Sequence, residues 1–424
     1  MEENKMLIKR AEPWKKFFFY LIIFFSTFFV IVARRPDIIT NPQLWAEDGA
    51  IWLKQAYDLG FIHSLLLPAN GYYQTISRLT IGAYSLVGIE NVALFSTLIA
   101  ISIRCLFLCL ILSSRMRFIP MRFRFVFCLY FLLMPNIDEG YINITNAHWY
   151  LCMYLLAVII SDEPKGAAWQ THDIALCILS CLSGPFVIFM SVPLLVKRLI
   201  QNKSIVSCLK NIKLFDVVFL VCFLIQIQAI LGTSDANRPS HPLGFSVHLL
   251  VNIIGYRISS GFILDNLAFS NIAHDFQINL ALCFVSLLIV IFCFCRGDWR
   301  VRSIAFMAII MLSLTLIKPT MSDSEDQWPL LLVPGLGERY FFIINCIWFC
   351  GIAYFIANIT KIKIMHYVLY AMCIYASFSY FKIYPLEDVG YRRAISELAS
   401  SQPGSQVKIP LNPLGLWSVT LQKK

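Results

Sequence analysis

Two adjacent carboxylates, Glu47 and Asp48, open a segment rich in groups that handle sugars and phosphates. The run Trp45-Ala46-Glu47-Asp48-Gly49-Ala50-Ile51-Trp52 continues through Asp58 to Asn70-Gly71-Tyr72-Tyr73 and Arg78. One carboxylate of the pair could take the proton from an attacking hydroxyl while the other orients it or binds a cation. Aromatic faces such as those of Tyr72 and Tyr73 suit pyranose rings. The Arg78 guanidinium suits phosphate oxygens, which it grips as a bidentate fork. Each feature also has a plainer reading. Acidic residues in a first helical turn suit the helix dipole, interfacial tyrosines anchor membrane proteins whatever their function, and a long arginine side chain snorkels to headgroups. Asp58 fits either account.

Further along, Asn143-Ile144-Thr145-Asn146-Ala147-His148-Trp149 offers Asn146, His148 and Trp149 to a substrate or pyrophosphate oxygen, although a lone histidine also suits an interface. Gly335-Leu336-Gly337-Glu338-Arg339-Tyr340 places Arg339 beside Tyr340 at a helix mouth, where a lipid phosphate would meet it. Asp138-Glu139 is a second acidic pair and reads as a solvated loop. Asp323, Glu325 and Asp326 are oxygen ligands of the kind divalent cations take, but no further ligand stands nearby. No metal site and no cofactor are therefore assigned, and a divalent cation stays open. Nucleotide-binding, zinc-hydrolase and serine-hydrolase fingerprints do not occur at credible positions.

The rest of the chain must position these groups, and its composition says where. Apolar residues make up 58% and charged residues 14% of the 424, against about 25% charged in a soluble domain. Apolar runs near the length of a bilayer crossing recur from Phe17 to Tyr380. The chain is an all-α polytopic membrane protein; the alternation that a β-barrel requires is missing. The net charge of +10 does not signal nucleic acid, because the basic residues cluster at the ends of apolar runs. The first run, Phe17 to Ala33, follows Lys5, Lys9, Arg10, Lys15 and Lys16 and reads as an uncleaved anchor with its start in the cytoplasm. All fourteen cysteines except Cys208 fall in apolar runs, so neither disulfides nor a thiolate metal site are expected.

Charge then sets the topology. Residues 34–92 form one external loop, because Arg115, Arg117, Arg122 and Arg124 must be cytoplasmic and Ala93–Leu112 is the better single crossing. Within that loop Ile76–Val87 is a juxtamembrane helix. Phe125–Met134 and Trp149–Ile160 are short helices flanking an interrupted segment, as are Ile174–Cys181 and Phe186–Leu195 around Gly184-Pro185. About eleven crossings result. Further external segments fall at 135–148, 232–277 (with Asp235, Arg238, His241, Arg257, Asp265 and Asp275) and 318–339. Residues 1–380 make one transmembrane domain, and 381–424 make a short external tail without a folded outer domain. The external face comes out net acidic and the cytoplasmic face strongly basic.

The chain resembles the GT-C superfamily of membrane glycosyltransferases, and more narrowly the bacterial serotype-converting O-antigen glucosyltransferases. The resemblance rests on Ala46-Glu47-Asp48-Gly49, Gly71-Tyr72 with Arg78, Asn146-Ala147-His148-Trp149, Gly184-Pro185, Arg339-Tyr340 and Asn412-Pro413-Leu414-Gly415-Leu416-Trp417. It implies a first external loop that carries the catalytic acid, Glu47 or Asp48 as base, and Arg339 as a phosphate contact. It further implies a bacterial inner-membrane enzyme working at the periplasmic face. Its donor would be a polyprenyl-phosphate sugar, glucose on undecaprenyl phosphate, and its acceptor the O-antigen of lipopolysaccharide. An O-antigen polymerase and a flippase or transporter of lipid-linked sugars are the competing classes. A transporter buries charges near the midplane, whereas here Arg104 is the one basic residue deep in a crossing.

Overall fold

A peptide group inside a bilayer has no water to bond, so an apolar run must close its hydrogen bonds within itself. In the computed structural model, which describes residues 13–232, 241–359 and 363–424, these runs are helices. Eleven have thirteen residues or more among the described residues: α1 (Pro13–Arg34), α2 (Val92–Leu112), α3 (Met121–Leu133), α4 (Ala147–Ile160), α5 (Ala167–Cys181), α6 (Val187–Asn202), α7 (Leu214–Gly232), α8 (Phe276–Arg296), α9 (Trp299–Ile317), α10 (Glu338–Ile359) and α11 (Lys363–Ser379). Six are long and apolar enough to cross a membrane, namely α1, α2, α7, α8, α9 and α10. The ends are set by ordinary cap chemistry. Asp275 accepts from the Ile278 N–H at 3.0 Å to start α8, and Asp298 accepts from Arg300 and Val301 to start α9.

The helix centres differ in what they touch. α2 and α10 are largely buried, whereas α1, α7 and α8 present most of their apolar side chains outward, as lipid-facing helices do. α1 lies on α2, α5 on α7, and α9 on α10. α5 begins at Ala167, earlier than the apolar run from Ile174 suggests. The polar start is stabilised by Asp173, which takes a bidentate grip from Arg115 at 2.6 and 2.7 Å. Asp235 and Arg238 lie outside the described residues, as do Lys5, Lys9, Arg10 and Lys361.

Between α1 and α2 the chain makes only short helices, Asp37–Thr40, Lys54–Leu59, Phe61–Leu65, Thr75–Gly82 and Tyr84–Val87, with a π-helical turn at Asp48–Leu53. The stretch Ile76–Val87 thus falls in two short helices, Thr75–Gly82 and Tyr84–Val87.

The tail departs from expectation. Residues 391–424 fold into α12 (Tyr391–Ser400) and an antiparallel hairpin of β1 (Gln406–Leu411) and β2 (Trp417–Gln422). Tyr391, Ala394, Ile395 and Leu398 make one buried face of α12, and Val407, Ile409, Leu411, Val419 and Leu421 make the buried face of the hairpin. A two-stranded hairpin is marginal alone in water. This one packs against α12 and against the 48–59 segment of the first loop.

Candidate active site

The turn that carries the carboxylate pair is strained and then wound wide. Ala46 has φ +33°, a region L residues rarely occupy and that clusters at functional sites. Its N–H donates to the Asn412 carbonyl at 2.6 Å, and the Asp48 N–H donates to the Trp45 carbonyl at 2.7 Å. The π-helical turn at Asp48–Leu53 follows, a geometry also frequent at functional sites. The two carboxylates consequently part company. Asp48 is buried at 2% exposure, and its Oδ1 accepts from the Thr145 N–H at 2.9 Å. Burial pushes its carboxyl well above the usual range and neighbouring Glu47 adds to the shift, against the N–H groups of Thr145, Ile144 and Trp45. Glu47 is only half-buried and lies within electrostatic range of the Arg339 guanidinium, as does Tyr72.

Arg339 closes the opposite side. Its guanidinium pairs with Glu139, and its backbone N–H donates to the same carboxylate at 3.2 Å. It also donates to the Thr320 carbonyl at 3.1 Å and reaches the Tyr340 hydroxyl, which in turn meets Thr320 Oγ1 at 2.6 Å. Glu338 is buried and accepts from the Glu139 N–H at 3.2 Å. A narrow cleft, with about 10 Å³ of water-accessible space, lies between these groups and the start of α4, lined by Gly140, Asn146, Trp149, Tyr150, Glu338 and Arg339 among others. The Trp149 ring stands edge-on to Tyr340 at 5.9 Å, and its indole N–H has no partner. A donor, a cation and aromatic faces therefore meet at one opening.

The loop before α4 joins the two sides. Thr145 Oγ1 accepts from the Trp52 indole at 3.2 Å, Asn143 accepts from the Asn146 N–H at 3.1 Å, and Ser77 bonds the Ile144 carbonyl at 3.1 Å. Arg104 of α2 donates to the Gly140 carbonyl at 2.9 Å with its guanidinium 3.6 Å from the Tyr150 ring centre. The charge deep in α2 is therefore a strut for this loop.

Other residues singled out in the sequence sit elsewhere. His148 is buried, gives its Nδ1 hydrogen to the Thr145 carbonyl at 2.6 Å and stacks on Phe186 at 5.6 Å, so it packs the loop from behind. Arg78 is buried over the Trp52 ring at 4.7 Å and donates to Gln55 at 2.7 Å; burial pulls it down to about 10. Its Nε and second Nη have no partner. Tyr73 is held through its backbone, whose N–H donates to Gln226 at 3.0 Å. Asp58 faces outward and pairs with Lys54 at 2.5 Å. Asn70 and Gly71 take the positive φ values of +52° and +85° that an Asn-Gly turn needs, with Ala69 and Tyr72 bonded across it. Asp326 pairs with His241 at 3.2 Å. Among the described residues no three His, Cys, Asp or Glu side chains converge as a metal site would require. The sequence presents Glu139 as a solvated acid, and its one signal for Glu338 is an acid immediately before a basic residue at a helix mouth.

No known family model matches the chain, and no curated protein is similar to it in sequence. Among solved structures it is similar to the crystal structure of ArnT from Cupriavidus metallidurans bound to undecaprenyl phosphate. That likeness has 11% identity and a TM-score of 0.41, and covers 92% of this chain and 72% of that one. The site has to stand on its own geometry.

Proposed function

We propose that the protein is a GT-C-like membrane glycosyltransferase that moves a sugar from a polyprenyl-phosphate donor to a glycan acceptor at the membrane end bearing residues 34–92. The observation that carries the reading is Arg339, which lines the cleft with Trp149 and Tyr150 and has the half-buried Glu47 and Tyr72 within electrostatic range. Glu47 is the open carboxylate and takes the proton from the acceptor hydroxyl. That oxygen bonds the anomeric carbon as the carbon–oxygen bond to phosphate breaks. The electron pair leaves on the phosphate, and Arg339 receives its charge by exchanging Glu139 for phosphate oxygens. One base and one direct displacement give inversion. Asp48 does not touch the acceptor in this scheme; it ties the turn to the Thr145 backbone.

The donor we favour is glucose on undecaprenyl phosphate, and the acceptor the O-antigen of lipopolysaccharide, with the reaction on the periplasmic face of a bacterial inner membrane. The Glu47-Asp48 turn, the outward aromatics and the basic clusters that flank the opposite helix ends support that placement. Purified protein in nanodiscs, given undecaprenyl-phosphate sugars and lipopolysaccharide, should release undecaprenyl phosphate. Glu47→Gln should lower the rate by about 10²–10⁴-fold, with the unfolding midpoint unchanged. Full turnover by that variant would reject Glu47 as the base.

A further inference from the structure

The hairpin turn of the tail touches the carboxylate turn on both sides of Glu47. Before it, the Asn412 carbonyl accepts from Ala46, the residue at φ +33°, and the Asn412 N–H reaches the Leu44 carbonyl at 3.3 Å. After it, the fully buried Leu411 fills the space beside Gly49 so closely that a Cβ there would lie 2.4 Å from its Cδ2. Tail and turn are tied again through Gln43, which exchanges hydrogen bonds with the backbone of Glu387 and Val389 at 3.1 Å each. Asn412 Nδ2 holds the Glu387 carbonyl at 3.0 Å. α12 adds a buried Tyr391 whose hydroxyl has no hydrogen-bond partner, with Asp48 the foremost carboxylate acting on it. Buried polar atoms without partners are rare and call for an explanation.

We propose that the 391–424 unit is a positioning element for the candidate base: Asn412 and Leu411 hold the 45–49 turn in its strained shape, which leaves Glu47 half-buried within range of Arg339 and turns Asp48 inward. This rests on the reading of Glu47 as the base. A left-handed alanine persists only where its surroundings over-determine it, and here those surroundings are two contacts from a segment more than 360 residues away in sequence. The absence of a side chain at position 49 is what lets Leu411 reach the backbone.

The test is a size-swap cycle on the full chain in nanodiscs, with undecaprenyl-phosphate glucose as donor probe and lipopolysaccharide as acceptor. Gly49→Ala should push against Leu411 and misplace the turn, lowering kcat by about 10²-fold while KM stays within about twofold. Gly49→Ala with Leu411→Ala should regain most of that loss, since the added methyl then has room. Amide exchange over residues 44–53, followed by mass spectrometry, gives a readout that needs no substrate. It should accelerate in Gly49→Ala and slow again in the double variant, with the amides of α2 and α10 unchanged. A double variant that regains neither kcat nor slow exchange overturns the proposal, as does Gly49→Ala with wild-type exchange. If the wild-type chain turns over no donor while the exchange cycle behaves as stated, the glycosyl-transfer reading falls and the tail still seats the turn.

Discussion

The two ends of the helix bundle handle charge in opposite ways. At the end away from residues 34–92, cations meet carboxylates. Arg115 grips Asp173 at 2.6 Å, and Arg198 pairs with Glu163 and Asp216 at 2.8 Å each. Lys213 reaches Glu163 at 2.7 Å, and Arg300 reaches Asp162 at 3.2 Å. The Glu163 carboxyl is held far below its usual range by Lys197, Lys213 and Arg198 even though burial opposes it. At the site end, arginines meet carbonyls and rings. Arg34 donates to the carbonyls of Tyr380 and Phe381, Arg104 to Gly140 and Arg257 to Leu336, while Arg78 keeps two nitrogens unpartnered. Carbonyls hold a guanidinium in place without neutralising it, and Arg34, Arg78, Arg104 and Arg257 are all buried. Ion pairs occur at this end too, Arg339 with Glu139 beside the cleft and Arg35 with Asp37 at 3.4 Å. One end is tied mainly by ion pairs, the other mainly by bonds from arginines to backbone carbonyls.

That contrast can be broken from either side. The largest effect should come from Arg115→Ala, which strands the buried Asp173 carboxylate. Breaking a buried pair costs about 3–5 kcal/mol, so the unfolding midpoint in detergent should fall sharply while the folded fraction keeps its kcat. A large loss of kcat with an unchanged midpoint would blur the distinction between the ends. Arg339→Lys should do the reverse. Lysine keeps the charge but loses the fork, so turnover should drop by about tenfold with little change in stability.

Asp48 sharpens the comparison through pH. Its folded carboxyl is raised above the unfolded value, so the folded state holds the extra proton. The stability this group contributes is present at low pH and is lost as pH rises through the folded value. Asp48→Asn can still accept from the Thr145 N–H, and it has no charge to bury. Its unfolding midpoint should therefore fall less than that of the wild type as pH is raised above the ordinary carboxylate range. Equal slopes for the two proteins would refute the buried assignment. The smallest effect should belong to Asp58→Asn. The Lys54–Asp58 pair lies at the surface, where such i,i+4 pairs contribute about 0.3–0.5 kcal/mol, and both turnover and midpoint should stay near wild type.

The apolar runs in the sequence foreshadow the helical architecture, although only six of the described helices are long and apolar enough to cross a membrane, because helix formation in hydrocarbon depends on local composition and length. The Asn70-Gly71 turn was legible for the same reason: it needs positive φ at two neighbouring residues and nothing from elsewhere. The first loop could be recognised as the polar centre by residue type alone. What could not be read was the division of labour inside it. Glu47 and Asp48 look equivalent in sequence, yet Asp48 is buried on the Thr145 backbone while Glu47 stays half-buried. His148 sits among polar neighbours in sequence, yet stacks behind the loop on Phe186. Glu139 reads as a solvated acid until α10 brings Arg339 beside it. The tail is least legible locally: the alternation of Val407, Ile409 and Leu411 spells a strand, but the surface it packs on lies at the other end of the chain.

The sequence by itself determined the helical membrane architecture and the residue types at its polar end, since hydrophobicity and turn chemistry act over a few neighbours. Which carboxylate is buried, which arginine is paired and what touches the strained turn were decided by contacts between segments far apart in the chain. Only the folded chain brings those together, because burial and charge pairing depend on neighbours in space.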